Sequence, residues 1–137
     1  MATVDLTGGT SAIPYNGINR EYQIRNRLNL GVTHVAASDT LNVLTVKANT
    51  HVKKVYTKVI TPEGATATCT IGDSTSAAGF DASVNLNAAA GTITQSTVSD
   101  TYADGKIYTT ETSINLTPAN NLGNAVIDVY VTCEDLN

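Results

Sequence analysis

An all-β fold, an antiparallel β-sandwich or jelly roll of about eight strands, is predicted by three observations. Apolar and polar residues alternate with period two through most of the 137-residue chain, most cleanly from Asn124 to Glu134, the signature of strands with one face on a core. Thr supplies about one residue in six, and its branched Cβ suits a pleated sheet better than a helix. Turn signals such as Pro62-Glu63-Gly64 separate the alternating runs at short intervals, as a sandwich or barrel requires. The length is that of one domain with a genuine core.

Taken in order, residues 1–19 read as an extended arm, because Gly8-Gly9, Pro14 and Asn16-Gly17 interrupt any regular element. The sandwich domain then occupies 20–137. Its first strand alternates Tyr22, Ile24, Leu28 and Leu30 against Gln23, Arg25, Arg27 and Asn29, with Asn26 out of pattern. Leu41 to Val46 is more continuously apolar and predicts a more buried strand. In Val52 to Thr61, Val55, Thr57 and Val59 oppose Lys54, Tyr56, Lys58 and Ile60. Thr66 to Ile71 returns with Ala67, Cys69 and Ile71 inward. A loop from Gly72 to Ala82 follows, anchored by Phe80, the one Phe of the chain. Further strands are expected at Ser83–Leu86, Thr92–Val98 and Lys106–Leu116. The three alanines of Ala88-Ala89-Ala90-Gly91 are too few to nucleate a helix. The last strand points Ala125, Ile127, Val129, Val131 and Cys133 inward, with Asp128, Tyr130, Thr132 and Glu134 outward.

Composition narrows the function classes. Charged residues are 15%, aromatics 5% and Trp is absent, so the anchors of tight sugar or peptide sites are scarce. A net charge of −4 argues against a nucleic-acid partner. Residues 1–61 hold seven basic side chains against three acids, and residues 62–137 hold one against nine. Either the two halves intermix in the sandwich, or the molecule associates head to tail with its own copies or docks on a charged lattice. No signal sequence and no membrane-length apolar stretch are present, so the expectation is cytoplasmic synthesis without a membrane partner. Cys69 and Cys133 both take inward positions and read as buried thiols; a disulfide requires that their strands be neighbours.

Sequences that carry chemistry are missing. Asp100 to Glu111 matches a calcium loop at five positions, but Tyr102 stands where an oxygen ligand belongs and the flanks are β-rich rather than helical. Asp104-Gly105 reads instead as a type I′ hairpin turn. His34 and His51 have no ligand spacing to each other or to a Cys. There is no nucleophile elbow, no phosphate loop and no wall for a glycosidase cleft. The sequence therefore predicts a protein that is not an enzyme and holds no metal or cofactor. Two sets of residues remain as interface candidates. Lys53, Lys54 and Lys58 with Arg25 and Arg27 form a basic run, the one candidate polyanion patch, which solvated edge-strand lysines also explain; Arg25, Arg27, Lys54 and Lys58 are its interface candidates. Asp128, Tyr130, Thr132 and Glu134 form the outward row of the last strand.

Thr66-x-Thr68-x-Thr70-Ile71-Gly72-Asp73, a small-residue loop, Gly79-Phe80, an Ala-Gly stretch and a final strand of Ala-x-Ile-x-Val-x-Val type together resemble head decoration (cement) proteins of tailed bacteriophages. The resemblance spans Tyr22 to Leu136. It implies a β-sandwich or jelly roll, commonly trimeric, that sits on the outer capsid surface and clamps the major capsid protein, with no catalytic residues. It also implies localisation in the virion, with Ile71 closing a core strand, Gly72-Asp73 turning and Phe80 locking the loop. The arm would then cross onto a neighbouring subunit. The alternative from another class is a β-sandwich binding module: a tail-fibre, adhesin or carbohydrate-binding domain.

Overall fold

The computed structural model describes residues 2–6, 21–95, 97 and 100–136. Among them are ten strands: β1 (Thr3–Asp5), β2 (Glu21–Asn29), β3 (Thr40–Val46), β4 (Thr50–Thr61), β5 (Thr68–Gly72), β6 (Asp81–Asn85), β7 (Ile93–Gln95), β8 (Lys106–Tyr108), β9 (Thr112–Pro118) and β10 (Val126–Asp135). One sheet has the order β1-β3-β9-β5-β6; the other has β2-β10-β4-β7, with β8 also on β4. The pairing is nested. β5 pairs with β6, β4 with β7 and β8, β3 with β9, and β2 with β10, all antiparallel. This is one long hairpin rolled up, with β10–β4 and β9–β5 contacts closing each sheet.

Alternation decides which face of each strand is buried. The inward row of β10 and the residue before it, Ala125, Ile127, Val129, Val131 and Cys133, is fully buried, in one core with Leu28 and Phe80 and with Leu41, Leu44, Ile114 and Leu116 of the other sheet. Each such aliphatic or aromatic side chain contributes about 1.5–3 kcal/mol by leaving water. Phe80 anchors its loop as expected and stands edge-on to Tyr102, ring centroids 5.0 Å apart.

Asn26, the residue that broke the β2 pattern, also points inward. Its amide donates to the carbonyls of Leu6 (2.7 Å) and Val43 (2.8 Å). Val43 sits at an irregularity in the β3–β9 ladder, so a polar side chain from the opposite sheet satisfies a carbonyl that the ladder leaves over.

Two expectations are corrected. The run Lys106–Leu116 is not one strand: β8 pairs β4 in one sheet and β9 pairs β3 and β5 in the other. Thr109–Glu111 carries the chain from sheet to sheet, a step that alternation cannot register because both pieces keep an inward face. Asp104-Gly105 does not make a type I′ hairpin. β7 and β8 lie on β4 rather than on each other, and of the two turn residues only Gly105 has positive φ (85°). A Cβ there would stand 2.4 Å from the Val52 carbonyl oxygen, so glycine is required by close approach as well as by φ. Among the described residues the all-β fold expected with about eight strands has ten, several of them only three residues long.

Of the segment expected as an arm, β1 lies parallel along β3, and Leu6 N–H continues the pairing to the Asn42 carbonyl at 2.8 Å. Residues 7–19 of that segment lie outside the described residues.

Candidate functional site

Strand register gathers all eight interface candidates on one surface, the outer face of the β2-β10-β4 sheet. Read across the strands, the Cα partners form four rows: Glu21–Glu134–His51–Ile107, then Gln23–Thr132–Lys54, then Arg25–Tyr130–Tyr56–Gln95, and last Arg27–Asp128–Lys58–Ile93. The basic set and the last-strand row are therefore neighbours, although about a hundred residues separate them in sequence. An irregularity at Lys53 puts two consecutive β4 residues opposite the Thr132–Cys133 step, and Lys53 and Lys54 both reach solvent.

Asp128 is 1% exposed although it sits on the outer side of its sheet. Arg27 covers it with a bidentate pair (Nε–Oδ1 2.8 Å, Nη2–Oδ2 3.0 Å), Arg25 stands at 3.8 Å, and the Tyr130 hydroxyl donates at 3.4 Å. The Arg27 hydrogen bonds hold its carboxyl below the usual range against the opposing effect of burial. Asp128 thus orients the two arginines rather than meeting a partner itself. At the other end of the face, Lys53 Nζ bridges Glu21 (2.7 Å) and Glu134 (3.5 Å). Lys54 and Lys58 make no ion pair among the described residues.

Sequence reasoning missed three members of this face: Tyr56, the direct partner of Tyr130, and the exposed Ile93 and Ile107 (64% and 56% exposed). The signal for Tyr56 was its place on the polar side of its strand, but pairing with Tyr130 depends on register. Two shallow hollows indent the face. One of about 390 Å³ lies against Glu21, His51, Lys53 and Asp104, and one of about 320 Å³ against Tyr56, Lys58, Ile93 and Tyr130.

The outer face of the other sheet is built differently. Its rows run Asp5–Asn42–Asn115, Thr45–Ser113, Thr70–Thr117 and Thr68–Asn85, uncharged except at Asp5 on the edge strand.

Two buried carboxylates tie loops to the sheets. Asp73 accepts from Lys106 Nζ (2.7 Å), the Tyr108 hydroxyl (2.7 Å), the Tyr102 hydroxyl (3.2 Å) and the N–H groups of Thr75 and Ser76. Burial alone would raise its pKa, but these donors outweigh it and bring the carboxyl down to about 2. Burial and the neighbouring Asp73 push the Tyr108 hydroxyl up. Glu63 receives the N–H groups of Gly123, Asn124 and Ala125 at 2.7, 3.1 and 2.7 Å, which together overcome burial and lower its pKa. Both tyrosines and Lys106 are thereby spent inside the fold.

The calcium-loop residues are dispersed in the same way. The Asp100 carboxylate accepts from Thr97 Oγ1 and from Thr97 N–H, and the Tyr102 hydroxyl turns to Asp73. Among the described residues no three His, Cys, Asp or Glu side chains converge. Cys69 and Cys133 lie on β5 and β10, in opposite sheets, as free buried thiols. Burial pushes Cys133 up to about 12 and Cys69 higher still.

No family model matches the chain, and no curated protein matches it. Solved structures do. A chain from the capsid of Ralstonia phage GP4 superposes with a TM-score of 0.66 at 15% identity, covering 97% of each chain. One from the cyanophage Pam1 capsid asymmetric unit gives 0.64 at 18% identity, over 90% of this chain and 91% of that one. One from the acid-stable capsid of Helicobacter pylori bacteriophage KHP30 gives 0.60 at 14%, over 85% and 89%. At these identities the likeness is one of fold. It extends over nearly the whole chain, and all three structures are phage capsids. No helix among the described residues is long and apolar enough to cross a membrane.

Proposed function

We propose that the protein is a structural component of a phage virion: a jelly-roll decoration protein that binds the outer surface of the shell and reinforces it by added interface. The observation that carries this reading is near-complete superposition on chains of three phage capsids. The site chemistry supports it, since the polar groups that could do chemistry, Asp73, Glu63, Lys106 and Tyr108, are used to hold loops in place. The surface for contacts between neighbouring copies in this reading is the outer face of the β2-β10-β4 sheet, with Arg25, Arg27, Lys54, Lys58, Tyr130, Thr132 and Glu134 facing the neighbour and Asp128 fixing the arginines. Arg and Tyr beside exposed aliphatics are the residue types that interfaces favour. The partner is the major capsid protein, and the protein acts as a homo-oligomer, a trimer in the form the sequence resemblance implies.

Mass spectrometry of purified virions, with heat challenge of particles made with and without the gene, tests this. The reading predicts stoichiometric incorporation and earlier particle rupture when the gene is deleted. Absence from purified virions contradicts it.

A further inference from the structure

Mixing of the two sequence halves does not leave the charged face featureless. It creates a new polarity along the strands. At the end where β2 begins, Glu21, Glu134 and Asp104 stand against Lys53, with Lys54 of the next row lining the same hollow. At the other end, Arg25, Arg27 and Lys58 stand against one carboxylate, Asp128. Six residue steps along β10, from Glu134 to Asp128, separate the ends, which is about 20 Å of strand. That exceeds the screening length of about 8 Å at physiological salt, so the ends act as two patches of opposite sign. Tyr130, Tyr56, Thr132 and Lys54 fill the middle, and one exposed isoleucine flanks each end, Ile107 beside the acidic patch and Ile93 beside the basic one.

We infer that this face is self-complementary and packs against the same face of a second copy about a two-fold axis. The axis lies in the plane of the contact, across the strands, between the Thr132 and Tyr130 rows. Rotation about it reverses the strand direction and brings the acidic end of each copy over the basic end of the other. Glu21 meets Arg27 of the second copy, Lys54 meets the ring of its Tyr56, and Ile107 meets its Ile93. An isologous contact uses one patch twice, which is the arrangement a surface with this antisymmetric pattern fits. Four rows by four strands give a footprint of about 500 Å² per copy, about 1,000 Å² in all, the lower bound for a specific interface. Such a contact is weak between free molecules and becomes effective when a shell holds copies side by side.

The uncharged outer face cannot do the same, having no patches to complement. Nucleic acid fits the charged face poorly, because three carboxylates interrupt its cations and the molecule as a whole carries −4. The inference rests on the virion reading only for its setting; the contact is a property of the chain.

Two variants of the full chain test it by sedimentation velocity at low salt. Arg25→Glu with Lys58→Glu makes both ends acidic, and Glu21→Lys with Glu134→Lys makes both ends basic. The wild type is expected to double its sedimenting mass with rising concentration, and to lose about tenfold or more in association when salt is raised. Each variant alone is expected not to double, and an equimolar mixture of the two is expected to double. Thermal melts of each variant report folding, and Ile93→Ser, on an edge strand and without charge, is expected to weaken the doubling by about tenfold should a reversal lower stability. A wild type that does not double, or a mixture that stays as separate as its components, overturns the inference. If virions still incorporate the protein in that case, the virion reading stands and the face meets a different protein. If doubling occurs but virions lack the protein, the contact stands and the virion reading falls.

Discussion

The two outer faces of this sandwich share one core and one pleat, yet they are opposite kinds of surface. On the β3-β9-β5 face, Thr45, Thr70, Thr117, Ser113 and Asn42 present short uncharged groups. Such side chains solvate a sheet at little energetic consequence and offer no anchor. On the β2-β10-β4 face, Arg25, Arg27, Lys54 and Lys58 surround the Tyr56–Tyr130 pair over a buried carboxylate. A solvated surface has no need of a buried Asp128 with two arginines ordered around it. The difference teaches that the charge of this protein is placed rather than spread.

The largest expected effect falls on what both faces share. Asp73→Ala removes the acceptor of five donors that join the 73–79 loop to β8 and should cost about 3–5 kcal/mol. Amide exchange should then rise in both sheets together; a rise confined to one would show that the sheets do not unfold as a unit. Next in size, Asp128→Ala takes a charged hydrogen-bonding partner from Arg27 and should cost about 2 kcal/mol, with mobility of Arg25 and Arg27 increasing in side-chain NMR. The matched change on the other face, Thr117→Ala, should stay within about 0.5 kcal/mol. Equal costs would remove the distinction between the faces.

Acid should act through the carboxylates. Asp39, Glu63, Asp73 and Asp128 all have folded pKa values below their ordinary ones. Their contribution is complete above about pH 5 and declines as pH falls through about 4 toward the folded values, near 2 for Asp73. Asp81 opposes this trend, because burial raises its pKa, and its ionised form destabilises the fold at neutral pH. Asp81→Asn, which keeps an acceptor for Ser83 N–H, should therefore raise the melting temperature slightly at pH 7 and lose that advantage near pH 3. Urea melts across this range check both signs.

Much of the fold was legible because period-two alternation is local. The ranges of β2, β3, β4 and β10 were readable to within about two residues, and the inward row of β10 was complete. What escaped was non-local. The sheet switch at Thr109–Glu111 follows Tyr108, whose hydroxyl bonds Asp73 thirty-five residues away. Lys106 and Tyr108 on one side of a strand were a signal, since two polar tips beside a core call for a buried partner. Asn26 was the same kind of signal, and it proved to be a link between sheets. The eight interface residues were each readable as outward, but their assembly into four rows is a matter of register, which no single strand encodes.

Co-sedimentation with phage particles that lack the protein tests the proposal that contacts between copies through one outer face hold the protein on a capsid shell. Wild type and a T70K/T117K variant of the uncharged face are predicted to bind, while K54E/K58E on the charged face is predicted to remain in the supernatant. Binding by K54E/K58E together with loss by T70K/T117K would contradict the account.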